Sequence, residues 1–198
     1  MTQPAIPAES APAPGHRADL WQPVLLRAAV ALVFGALTIF WASPSVDVMG
    51  WAGGIYLLAT GVVLIWTIRK AGFRSEVLPG RILSAAASAM TGSGIAVAAL
   101  RGDLLFGVIA GLGLGLMGVA ELYFGIRFRG RHVLARDWLT SGLLGIGTAI
   151  ALPFFIGMGA HALLGVAGGG AIISGVLWTL AGLSLRHDAR TAPAKAVN

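Results

Sequence analysis

GLGLGLMG, residues 111–118, contains Gly113-x-Gly115-x-x-Gly118, the spacing of a dinucleotide-binding fingerprint. In that fingerprint the glycines follow a strand, open a helix and let the backbone approach a pyrophosphate. The same stretch also belongs to Gly107-x-x-x-Gly111-x-x-x-Gly115, which lines one helical face with residues that lack a Cβ. The two readings predict different folds, and the surrounding sequence decides between them.

The 198-residue chain is 57% hydrophobic and only 11% charged, against about 25% charged residues in a soluble domain. Its mean hydropathy is +0.83. That composition predicts a polytopic membrane protein, so the fingerprint lacks its βαβ context and the glycines are expected to pack helices. Apolar runs fall at 24–42, 48–68, 82–100, 104–126, 138–157 and 161–185. Each is close to the ~20 residues that span a hydrocarbon core of ~30 Å. The expected fold is all-α, with six transmembrane helices arranged as three tandem hairpins. Residues 1–20 and 187–198 read as cytoplasmic tails, the first disordered, rich in Ala and Pro and without the basic start and apolar core of a signal peptide.

The formal charge of +6 is a topology signal. Thirteen of the fourteen Lys and Arg residues fall in the N-terminal region, the second and fourth connections and the C-terminal tail, and only Arg101 falls elsewhere. The positive-inside rule then places both termini in the cytoplasm. The basic loops face anionic lipid headgroups of the bilayer, and no nucleic-acid partner is expected. A homo-oligomer is compatible with the sequence.

An internal period of 57 residues relates Gly54, Gly111 and Gly168, and likewise Gly61, Gly118 and Gly175. Gly50 pairs with Gly107 at the same offset, as Gly35 does with Gly92. Three repeats follow, at about 21–76, 77–133 and 134–186, with a pseudo-threefold axis along the membrane normal. Close helix contact is expected at Gly50, Gly54, Gly61, Gly107, Gly111, Gly115, Gly118, Gly168 and Gly175, and at Gly165-x-x-x-Gly169 in the last span.

The repeat, LLRAAVALVFGALTIFW at 25–41, GVAELYFGIRFRGR at 118–131 and DWLTSGLLGIGTAIAL at 137–152 resemble the HdeD family, a short-repeat membrane domain of unknown function. The resemblance covers about residues 20–186 and runs in order through Arg27, Gly118 with Glu121, and Arg127 to Arg131. It implies a six-helix bacterial inner-membrane protein linked to acid or envelope stress tolerance. It supplies no catalytic residues and no substrate. Thr60 stands where the family often carries an acidic residue.

Glu121 is the ionisable residue placed clearly inside a span, six residues before Arg127. It reads as an ion pair with Arg27 at similar depth or, alternatively, as a proton-relay group. The outer ends of the repeats carry Asp47, Asp103 and His161, a candidate titratable rim. The six tryptophans read mostly as an interfacial belt. The chain has no cysteine, and its histidines lack metal-ligand spacing. No nucleophile–base constellation is present, so neither an enzyme, a metal nor a cofactor is expected. The reading that follows is a non-enzymatic membrane protein of the HdeD type. A small channel or transporter for protons or small solutes is the alternative.

Overall fold

A computed structural model describes residues 20–73 and 77–191. Its elements are helices throughout: α1 (Trp21–Phe40), α2 (Val46–Lys70), α3 (Leu78–Leu100), α4 (Asp103–Arg127), α5 (Ala135–Ala151) and α6 (Gly159–Thr191). The expected N-terminal tail lies almost wholly outside the described residues. Helix α1 already begins at Trp21 and takes Pro23 into its first turn, where a missing N–H costs nothing. At the other end α6 stays helical to Thr191, past the expected boundary at residue 187.

Local chemistry sets the helix ends. Ser45 caps α2, its Oγ accepting the Val48 N–H at 3.2 Å. Asp47 lies in the first turn of α2 and Arg69 and Lys70 in its last, both favourable to the helix dipole. Pro79 opens α3, and the chain leaves α3 through Arg101 and Gly102, both at positive φ. Helix α4 contains a π-helical turn at Phe106–Ala110. The Phe106 ring lies against Gly53 of α2, where a Cβ would collide with it.

By length and apolarity, five helical segments qualify to cross a membrane; the last is the 57-residue stretch Ala135–Thr191. That stretch is not straight. A 3-10 segment, Leu152–Met158, and Gly159 at φ 83° separate α5 from α6. The Thr148 hydroxyl lies where a Cβ on Gly170 would stand. Residues 22 positions apart would lie ~33 Å apart along one continuous helix, so the chain folds back here.

Three helix pairs make the most extensive contacts: α2 with α3, α4 with α5, and α6 with α1. Glycine explains the closeness of the first two. A Cβ on Gly54 would stand 2.8 Å from the Gly94 carbonyl oxygen, and one on Gly118 would stand 2.9 Å from the Gly142 carbonyl oxygen. Backbone therefore meets backbone, as small residues permit in apolar bundles. Gly50 rests against Arg101 and the Val97 carbonyl, and Gly61 against Thr91 and Ala87. Gly107, Gly111 and Gly115 face Ile156 and Ala149 along one stripe. In the third pair, Gly168 meets Thr38 and Gly175 meets Leu32. The expectation for Gly165 and Gly169 needs correction. Both are exposed, with no neighbour near a hypothetical Cβ, and packing on α6 falls to Gly168, Gly175 and Gly182. Gly92 likewise faces open space.

The outer surface is apolar. Val33, Phe40, Ile55, Leu112, Leu116, Ile150 and Phe154 are among the exposed large side chains. Such a surface suits lipid, and the helices satisfy their backbone hydrogen bonds internally.

Candidate functional site

Five of the six helices contribute to a small polar centre, and α3 adds the apolar Met90 to the wall of the cavity beside it. Arg27 projects from the second turn of α1, and Glu121 from α4, six residues before its C-terminal Arg127. Both are buried, Glu121 at 1% exposure. Arg27 Nη1 donates to Glu121 Oε1 at 2.5 Å. Ser141, in α5, closes the triangle: Arg27 Nη2 donates to Ser141 Oγ at 3.1 Å, and Ser141 Oγ donates to Glu121 Oε2 at 2.6 Å. The fork of the guanidinium thus binds a carboxylate and a hydroxyl at once.

Trp178 of α6 completes the packing around the charge. The Arg27 guanidinium carbon lies 4.2 Å from the centre of the indole ring. A desolvated guanidinium over an indole face is a favourable cation–π arrangement, worth about 2 kcal/mol or more. On the α2 side, Tyr56 is stacked on Phe34 with centroids 4.2 Å apart. Leu64, Glu121 and Trp178, equivalent at the 57-residue offset, are all buried, at 1%, 1% and 2% exposure. One position of the pattern is therefore buried three times over, as an aliphatic residue, a carboxylate and an aromatic platform for Arg27.

Beside the network lies a cavity of about 40 Å³, with Tyr56, Thr60, Thr148 and Ser174 in its wall together with the ion pair. It is too small for a substrate-sized molecule, since ligand pockets run to ~300–1,000 Å³. Its chemistry is hydrogen bonding around a neutralised charge pair.

The other candidate residues lie apart from this centre. Asp47 is exposed and accepts from Arg101 Nη1 at 2.9 Å. The Arg101 guanidinium carbon lies 5.0 Å from the centre of the Trp51 ring. Asp103 is in the first turn of α4, with Oδ1 buried and lacking a hydrogen-bond partner among the described residues. His161 is exposed near the start of α6. No hydrogen bond or ion pair joins His161 to Asp47 or Asp103 among the described residues. The three positions form no bonded ring.

Sequence reasoning brought Arg27 and Glu121 together but missed Ser141 and the stacking role of Trp178. Trp178 is core, and so is Trp138, while Trp41, Trp51 and Trp66 are exposed as a belt requires. Trp138 packs with Phe73 and His132, whose ring stacks on it at 4.9 Å. Among the described residues no group of three His, Asp or Glu side chains is placed to hold a metal ion. Comparison of the chain with family models, with curated proteins and with solved structures finds no match.

Proposed function

We propose that this chain is a non-enzymatic membrane protein of the HdeD type that crosses a bacterial inner membrane six times and contributes to acid or envelope stress tolerance. The observation that carries the non-transporting part of this reading is the bundle centre. Arg27, Glu121 and Ser141 tie three helices together where a conduit would need a continuous hydrated path. The cavity beside them, about 40 Å³, leaves room for a few waters only.

Six crossings are supported by the return of the chain between α5 and α6. The three most extensive pairings suit three tandem hairpins in a ring. The second helix of each hairpin would pack on the first helix of the next, with α6 closing on α1. The distribution of basic residues supports cytoplasmic termini. Arg127, Arg129, Arg131 and Arg136 are exposed around the α4–α5 connection, suited to anionic headgroups. The stress role rests on the family resemblance.

Three measurements test the reading. Reporter fusions at the N-terminus and after Arg190 are expected to report cytoplasm, and a periplasmic signal from either overturns the topology. A strain lacking the chain is expected to survive acid less well, with rescue by the intact protein. Proteoliposomes are expected to carry no proton flux above that of empty vesicles. Flux abolished by Glu121→Gln would replace this reading with the channel or transporter alternative.

A further inference from the structure

The buried centre is not fully satisfied by protein groups. Trp178 Nε1 and Thr60 Oγ1 are both buried, and neither has a hydrogen-bond partner among the described residues. Trp178 is 2% exposed and Thr60 4%, so bulk water does not serve them. Thr60 lies near the Tyr56 hydroxyl, but no bond of normal geometry joins them. A buried N–H or O–H without a partner costs about 1–3 kcal/mol. Both residues line the same cavity, and buried groups without a partner are few in a folded chain.

That cavity sets the size and chemistry of what could satisfy them. At about 40 Å³, against ~10–15 Å³ for one water, it admits about three waters or one small ion. Its net charge argues against an ion. Arg27 and Glu121 neutralise one another at hydrogen-bond distance, so an added ion would sit unpaired in a low-dielectric interior. Its lining argues against an apolar occupant, because the indole N–H only donates while hydroxyls of Thr60, Thr148 and Ser174 donate or accept. The occupant must be small, uncharged and able both to give and to accept hydrogen bonds.

We infer that the centre of the bundle is a resident hydration site, holding two or three waters hydrogen-bonded to Trp178 Nε1 and Thr60 Oγ1 beside the Arg27–Glu121 pair. The waters are structural, and they extend the polar shell of the ion pair to α2 and α6. The site does not depend on a role in stress tolerance; it follows from the cavity and its orphaned donors.

A crystal structure at about 2 Å or better, where ordered waters are resolved, tests the site directly. The expected result is density within hydrogen-bond distance of Trp178 Nε1 and more beside Thr60, with no anomalous signal from crystals grown in bromide instead of chloride. An anomalous peak in the cavity would make the site an anion site and overturn the inference. A well-ordered indole facing empty or lipid-filled space would overturn it too. Ala171→Leu, which places three extra carbons in the cavity wall, is expected to displace the density. Density unchanged in folded Ala171→Leu would mean that the peaks lie outside the cavity and would sink the site as described. If that variant does not fold, the intact protein still decides.

Discussion

Arg27–Glu121 and Arg101–Asp47 use the same chemistry in two settings. Each joins an arginine to a carboxylate on another helix, and each lays the guanidinium near an indole, Trp178 in one case and Trp51 in the other. They differ in burial. The side chains of the first pair are 10% and 2% exposed, and those of the second 38% and 70%. The inner pair has a third partner, Ser141, bonded to both charges; no such hydroxyl joins the outer one. The difference teaches that the pairing itself says little about stability. In water the partners exchange one set of hydrogen bonds for another, and the net gain is about 0–1 kcal/mol. In a buried site the pair is a commitment, because removing one member strands the other in a medium that cannot solvate it.

The largest expected effect follows from that contrast. Glu121→Leu should destabilise the bundle by about 3–5 kcal/mol, the cost of leaving one buried charge unmatched. Arg27→Met should do the same. The double variant should recover most of the loss, since apolar residues of similar volume can replace a buried pair at little cost. Thermal or denaturant unfolding in detergent provides the measurement. Additive losses in the double variant would mean that the two charges are not each other's main partner.

The seam holding the network comes next. Gly118 lies three residues before Glu121 on α4, and its hypothetical Cβ falls 2.8 Å from Ile146 N of α5, the helix that carries Ser141. Gly118→Leu should push α4 from α5 and cost about 1–3 kcal/mol through overpacking. Gly169→Leu, on an exposed face of α6, should cost nothing measurable in the same assay. Equal losses would show that the backbone contact at Gly118 carries no special constraint.

Much of this was legible before any coordinates, and the failures have physical causes. Hydropathy finds the helices because lipid-facing and core-facing residues are both apolar. Burial inside a span marks Glu121 as needing a cation, and Arg27 at similar depth supplies it; Trp178 reads with the belt, because an aromatic near a span end looks the same in sequence whether it faces headgroups or the core. Glycine spacing finds the close faces on α2 and α4 but selects the wrong phase on α6. There the four-residue spacing points to Gly165 and Gly169, which face open space, while the 57-residue offset points to Gly168 and Gly175, which meet Thr38 and Leu32. Ser141 was missed because a lone serine in an apolar run carries no signal until Arg27 and Glu121 are placed beside it. The Asp47–Arg101 pair was missed because both residues sit in short connections or helix ends, whose geometry depends on the positive φ at Arg101.

A smaller effect is expected from the bridging hydroxyl. Ser141→Ala keeps both charges and removes one acceptor for Arg27 and one donor to Glu121. The loss should be about 1–2 kcal/mol, near the lower end of the range for hydrogen bonds to charged groups. It should shrink in the background of the Arg27→Met, Glu121→Leu double variant, where no charge remains to be bridged. An undiminished loss there would assign Ser141 a packing role between α4 and α5 in place of a polar one.

The smallest effect belongs to the outer pair and is the sharpest test of the comparison. Asp47→Asn keeps the shape of the side chain and removes its charge, leaving Arg101 with water and Trp51 as partners. Stability should fall by no more than about 1 kcal/mol, as for other solvent-exposed pairs. The loss should fade as salt rises toward about 1 M, where the Debye length is only ~3 Å. The Glu121→Leu loss should persist over the same range, because mobile ions do not enter a buried site to screen it. Measuring both variants against salt separates the two environments without relying on absolute energies. If Asp47→Asn cost as much as Glu121→Leu and resisted salt equally, the outer pair would be shielded from water, and its end of the bundle would be closed more tightly than the exposure of Asp47 indicates.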